Sequence, residues 1–219
     1  MATRKGKIHS GEYTGKVGNA VLSPWMNIMT LRSLPSRRKK DKSAKLTRQN
    51  DVFKMVMRFL CNAEGAITLG YQQTRKPGMT KMNAATSYHL LNAVIQDQED
   101  ACIDMAKIRL SKPIWLTQPA WKTSVAAEAG RIIRISWQLN PFPHKCTRLD
   151  DQAVMVIYDD QVKKFYVRKE RVDRMTMDVI MKTNPCTEGN DYFCYLFMVS
   201  ADGKLVSETQ YLGMVTIMA

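Results

Sequence analysis

Three histidines, five cysteines and two adjacent aspartate pairs are the residues of this chain with the chemistry to act on a substrate or a metal. His9, His89 and His144 stand alone, with no partner at the spacing by which one helix or hairpin holds a metal ion. Asp150-Asp151 and Asp159-Asp160 could offer oxygens to a calcium ion, which takes six to eight of them. Aspartates at strand ends more often close turns. Cys61, Cys102, Cys146, Cys186 and Cys194 are odd in number and form no C-x-x-C pair, which argues against a disulfide framework or a zinc site. Gly11, Gly15 and Gly18 do not make a phosphate loop, because Gly15-Lys16 runs into Val17 and not into Ser or Thr. No G-x-S-x-G elbow occurs. The expectation is a protein without catalytic residues, without a metal or cofactor, and without a small-molecule substrate.

Charge is the feature that remains. The first fifty residues hold twelve Lys and Arg against Glu12 and Asp41, a net +10 out of +13 for the whole chain. The first part of this stretch is also apolar. Val17, Val21, Leu22, Trp25, Ile28 and Leu31 supply enough greasy surface to dock on a partner. The second part, with Arg32, Arg37, Arg38, Lys39, Lys40, Lys42 and Lys45, suits an acidic protein surface or the phosphates of DNA. No aromatic residue lies between Arg32 and Arg48 to stack on bases, so any nucleic-acid contact would be independent of sequence and sensitive to salt.

The remaining periodicities place these residues on elements. With Thr47 as a helix cap, Val52, Phe53, Val56, Phe59, Leu60 and Ala63 recur at helical spacing, and Glu64-Gly65 reads as a stop. A second helix from Thr80 carries Ala84, Ala85, Tyr88, Leu91, Val94 and Ile95. Two such helices need a third surface to cover their apolar face. From about residue 101 the period becomes two, with a slipped strand over Ile103–Leu110, clean alternation at Ile133, Ile135, Trp137 and Leu139, and apolar runs at 154–158 and 192–199. About seven strands at this spacing indicate a sandwich with Trp137 and Tyr192 or Tyr195 in its core. The expected fold is α+β: an extended basic docking arm over residues 1–46, a helical hairpin over 47–99, and an immunoglobulin- or fibronectin-III-like β-sandwich over 100–219.

No stretch has the ~20 apolar residues of a membrane span, and the start lacks the apolar run of a signal peptide, which points to synthesis in the cytoplasm and to no membrane partner. Gly15-Lys16-Val17-Gly18, Ser23-Pro24-Trp25, Leu31-Arg32-Ser33-Leu34-Pro35, Thr47-Arg48-Gln49-Asn50 and the ending Ser207-Glu208-Thr209-Gln210-Tyr211-Leu212-Gly213 follow one another in an order that resembles an uncharacterised family, a domain of unknown function from Bacteroidota and their phages. The chain departs from that family's pattern at Met26, where a Gly or Lys often follows the Trp. The resemblance implies a structural protein of a virion neck, tail or capsid surface, a homo-oligomer whose partners are copies of itself and other assembly proteins. DNA is the alternative partner that the basic run would suit.

Overall fold

The computed structural model describes residues 2–4, 13–25, 28–34, 43–72, 78–96, 101–113, 117–168, 170, 172–183 and 189–217. The N-terminal stretch is not an extended arm. Its described residues form an antiparallel meander of four strands, β1 (Ala2–Arg4), β2 (Tyr13–Val17), β3 (Ala20–Trp25) and β4 (Ile28–Ser33), in sequential order. Gly18-Asn19 is the two-residue turn between β2 and β3, and Gly18 takes φ 56° there, a left-handed value that glycine tolerates without strain. Leu34 N–H donates to the Asn19 carbonyl at 2.8 Å and ties the end of β4 to that turn.

Helix α1 (Ala44–Cys61) starts four residues earlier than a cap at Thr47 implies. Ser43 is the cap, its Oγ accepting from Leu46 N–H at 3.3 Å, and Thr47 donates its hydroxyl to the Ser43 carbonyl. Glu64-Gly65 opens a short helix α2 (Glu64–Gly70) and does not end α1. Thr80 does cap α3 (Lys81–Asn92), with Oγ1 accepting from Asn83 N–H at 3.1 Å. The hairpin is therefore three helices, and β5 (Val94–Gln96) pairs with β6 (Ala101–Ile103) after it. Only the first part of the slipped strand is a strand: Met105–Lys107 is a 3-10 turn, and Ile108 and Leu110 are buried in the segment that follows.

The sandwich has two antiparallel sheets. One has the order β12 (Asp178–Lys182), β8 (Ile132–Gln138), β7 (Trp121–Glu128). The other has the order β10 (Lys164–Val167), β9 (Gln152–Asp159), β13 (Asp191–Val199), β14 (Gln210–Thr216), with β11 (Val172–Asp173) also paired to β9. The chain changes sheets from β8 to β9, from β11 to β12 and from β12 to β13, which locks the layers together.

The larger sheet is buried on both faces. Met155, Ile157, Tyr192, Cys194, Leu196 and Met198 point inward against Ile133, Ile135, Trp137 and Val179. The alternate residues Val154, Val156, Tyr158, Tyr195, Phe197 and Val199 meet Val56, Leu60, Ala63, Ile67 and Tyr71 of the helical layer. This sheet is the third surface that the helices require. Each fully buried Leu or Ile contributes roughly 1.5–3 kcal/mol, and the larger sheet contributes to both clusters, one against the helices and one inside the sandwich. Polar bonds reinforce it: Tyr195 donates to the Met105 carbonyl at 2.9 Å, and Ser111 Oγ to the Ser207 carbonyl at 2.7 Å.

Candidate docking surface on the N-terminal sheet

The register of β2, β3 and β4 sorts the six expected anchors onto two faces. Leu22 pairs with Gly15 and Leu31, so these share a face, and alternation adds Val17, Ala20, Pro24 and Met29 to it. Val21 pairs with Lys16 and Arg32, and Trp25 with Ile28, on the other face with Ser23 and Thr30. Across β2–β4 one face thus carries no charge, and the short edge strand β1 adds Arg4 to it, in register with Tyr13. The other mixes apolar, hydroxyl and basic groups, with Arg32 donating to Ser23 Oγ at 3.1 Å and Ser23 bonded to Thr30 at 3.0 Å.

Trp25 and Ile28 are engaged by this chain's own helical layer. The Trp25 indole Nε1–H donates to the Gly78 carbonyl at 3.0 Å, and a Cβ at Gly78 would lie 3.7 Å from Ile28 Cδ1 and 3.9 Å from the indole. Gly78 has φ 76° two residues before the Thr80 cap, so the turn that starts α3 is also the seat of the N-terminal sheet. The seat covers only half of Trp25, which stays 51 % exposed. On the apolar face Leu31 is 67 % and Val17 52 % exposed, with Met29 beside them. Leu22 and Ala20 are half-buried by their neighbours in the sheet.

Of the basic residues, Arg32 lies on the Trp25 face and Lys45 is exposed in the first turn of α1. Arg37, Arg38, Lys39, Lys40 and Lys42 lie outside the described residues. The first turn of α1 has no acidic side chain, although the positive end of a helix dipole favours one.

Of the residues with catalytic or metal-binding chemistry, His89, Asp151 and Asp159 are used for structure, and His9 and Cys186 lie outside the described residues. His89 is buried: its Nδ1 lies 2.7 Å from the Ala85 carbonyl and its Nε2 accepts from Arg109 N–H at 3.2 Å, which fixes a neutral tautomer with the proton on Nδ1. Burial pushes its pKa down, partly offset by the bond to Ala85. Asp159 Oδ1 accepts from Gln161 and Val162 N–H at 2.9 and 3.0 Å and closes the turn after β9, while Asn190 donates to both of its oxygens. Asp151 is buried against Arg174 at 3.1 Å, and Arg174 also donates to the Gln118 carbonyl at 2.6 Å. Among the described residues no three His, Cys, Asp or Glu side chains come together to hold a metal. Cys61, Cys102, Cys146 and Cys194 are free, and burial raises the Cys194 thiol to about 12. Among the described residues no helix is long and apolar enough to cross a membrane.

The sequence marks Met29 as apolar, Pro24 as part of Ser23-Pro24-Trp25 and Pro77-Gly78 as a turn, but does not place Pro24, Met29 or Gly78 at a docking site. The alternation Ala20, Leu22, Pro24 opposite Met29, Leu31, Ser33, with Gly18-Asn19 before it, is the hairpin signal that identifies the apolar face.

These features define a class: a two-sheet antiparallel β-sandwich with a helical layer on its larger sheet and a small N-terminal sheet that leaves one apolar face open. A family model described as a family of unknown function, DUF6266, matches residues 11–213, and the chain belongs to that family. No curated protein matches it. Among solved structures it is similar to the fn3 domain of the human collagen alpha-1(XX) chain, at 12% identity and a TM-score of 0.35, over 48% of this chain and 88% of that one. It is also similar to the twitchin kinase region from C. elegans, at 9% identity and a TM-score of 0.37, over 47% of this chain and 17% of that one.

Proposed function

We propose that this protein is a non-enzymatic structural protein that docks into a larger assembly through the apolar face of strands β2–β4 in its N-terminal sheet. The observation that carries the reading is the row Val17, Pro24, Met29 and Leu31, apolar and exposed around a half-buried Leu22, on a sheet whose opposite face touches its own chain through Trp25. Strand spacing and rise give such a face about 280 Å². That is of the order at which surface apolar patches carry function, yet less than half of the ~800 Å² per partner of a standard stable complex. A face this size suits one contact repeated in an assembly better than an isolated pair.

The finer reading places the assembly in a phage virion, as a neck, tail or capsid-associated adaptor present in several copies. It is supported by the ordered motifs from Gly15 to Gly213 and by the physical fit of a rigid sandwich with an added docking sheet. Leu31→Glu tests the docking. The side chain is exposed, so the variant should keep the wild-type melting temperature, while light scattering should show that it no longer self-associates or joins the products of neighbouring genes. A wild-type chain that stays monomeric, alone and with those neighbours, would overturn the reading.

The net +10 of the first fifty residues favours a second reading, sequence-independent binding of nucleic acid. It predicts duplex affinity that falls steeply with salt. Reversing Lys39 and Lys40 to Glu should flatten that salt slope, and an unchanged slope would exclude the basic run.

A further inference from the structure

The N-terminal sheet has an open edge as well as an open face. Strand β4 pairs with β3 and with no other strand. Leu34 N–H bonds to the Asn19 carbonyl, in the same register as the pairs Val21–Arg32, Ser23–Thr30 and Trp25–Ile28. Opposed residues of an antiparallel ladder alternate between bonded and non-bonded pairs. Arg32, Thr30 and Ile28 therefore turn their backbone groups to β3, and Ser33, Leu31 and Met29 turn theirs outward. Pro24, which has no N–H, stands opposite Met29, where the alternation places a non-bonded pair. Among the described residues no backbone group pairs with the outward row.

The sandwich protects its edges. Strand β7 slips in register between Trp121 and Ser124. Arg168 donates to the Ile180 carbonyl on β12. The Gln210 side chain on β14 bonds to both the N–H and the carbonyl of Ala120, each at 3.0 Å. Strand β4 has no Pro, Lys or bulge, the devices by which edges avoid a stray strand. Its one charged side chain, Arg32, is folded back over its own sheet to Ser23. Met29, Leu31, Arg32 and Ser33 are exposed, so the edge is a ready template for another strand.

The pattern selects a second copy of the same strand. With Leu31 of two chains on a two-fold axis, antiparallel pairing sets Met29 against Ser33 of the other copy and Thr30 against Arg32. Every outward N–H and C=O of both rows is then bonded, and no two like charges stand opposite each other. The basic run fits the same arrangement. Arg37 to Lys42 follow β4 in sequence. The two Ser33 residues, beyond which the runs begin, lie about 14 Å apart along the ladder, more than the ~8 Å over which charges act at physiological salt. Parallel pairing would set the two runs side by side. We infer that β4 pairs antiparallel with β4 of a second copy, with Leu31 on the axis, and joins two N-terminal sheets into one. The contact runs along the edge and leaves both apolar faces open, so it stands whether or not that face docks.

The test is disulfide cross-linking of full-length chains that carry Cys61→Ser, Cys102→Ser, Cys146→Ser and Cys186→Ser. Thr30→Cys is placed in one chain and Arg32→Cys in another. A non-bonded antiparallel pair holds its Cα atoms about 4.5 Å apart, within disulfide range, so the mixed chains should cross-link on mild oxidation. Two copies of either chain alone place the new thiols on Cα atoms about 8 Å apart, which is too far. The mixture should therefore give about tenfold or more the dimer of either chain alone. Ser33→Pro removes an outward N–H at a site where an edge strand accepts proline, and it keeps the apolar face; it should lower the mixed yield about tenfold. Val17→Glu breaks the apolar face two strands away from the edge and should leave that yield unchanged. No cross-link, equal yields from the single chains, an undiminished yield in Ser33→Pro, or a lost one in Val17→Glu would each overturn the inference. If self-association is lost in Val17→Glu and no cross-link forms, the edge contact falls and the docking face stands.

Discussion

Gly70→Ala and Gly65→Ala change the same helix and should move stability in opposite directions. A Cβ at Gly70 would lie 2.0 Å from the Leu110 carbonyl oxygen and 2.7 Å from Ser111 Cα. A carbon–oxygen contact normally rests at about 3.3 Å, so α2 or the 110–111 backbone must retreat by more than an ångström. That backbone is held: Leu110 and Ser111 N–H both donate to Thr209 Oγ1, at 3.0 and 2.8 Å, and Lys112 N–H donates to the Gly70 carbonyl at 3.1 Å. Overpacking against yielding side chains costs about 1–3 kcal/mol; against fixed backbone the upper end, about 3 kcal/mol, is expected. For a chain of this size that lowers the melting temperature by roughly 6–12 °C. Nothing lies within 4 Å of a Cβ at Gly65, so Ala there relieves the entropy of a helical glycine and adds about 0.5–1 kcal/mol. Calorimetry or urea unfolding of both variants reads the difference. If Gly70→Ala melts within about 2 °C of wild type, the helical layer is not seated on the sandwich as described.

Asp151→Ala strands the buried Arg174 guanidinium and should cost about 3–5 kcal/mol in urea unfolding, whereas replacing the pair by Leu and Met should recover most of that; equal losses in both would mean that the charge itself is not what matters. Because burial lowers the His89 pKa, the unfolded chain binds the extra proton first. His89 therefore contributes stability in full above about pH 6.5, and the contribution falls as the pH drops from there towards the lowered folded value. Urea midpoints between pH 8 and 5 should show this decline in wild type and lose it in His89→Gln. Trp25→Phe removes the bond to the Gly78 carbonyl but keeps the ring, so proteolysis near residues 25–34 should quicken while global melting moves by less than about 1.5 kcal/mol.

The strands that alternate were legible from sequence because one of their faces is buried and the other is not. Ile133, Ile135 and Trp137 fall inside and Arg134 and Ser136 lean outward, as expected for β8, but the strand ends at Gln138 and Leu139 lies exposed beyond it. The runs at 154–158 and 192–199 gave strands without a face, because both of their faces are covered and period two disappears. Strand β7 gave no signal. It is a largely exposed edge whose pairing slips between Trp121 and Ser124, where Lys122 takes φ 45°. Among the anchors, residue type identified the apolar set but not its division, since which side of a strand meets the Gly78 turn is fixed by contacts fifty-three residues away.

The two-sided sheet also sets an order of events during synthesis. The helices leave the ribosome first, but the strands that cover them, β9 and β13, arrive roughly one hundred residues later. The contacts that close the structure, Tyr195 to Met105 and Ser111 to Ser207, span 90 and 96 residues. Until then the growing chain carries Val56, Leu60 and Ile67 uncovered. Such long-range closure makes folding slow and leaves apolar surface open to association in the meantime. The nascent helices are thus the stage at which a chaperone, or an assembly partner bound early, would have the greatest effect on yield.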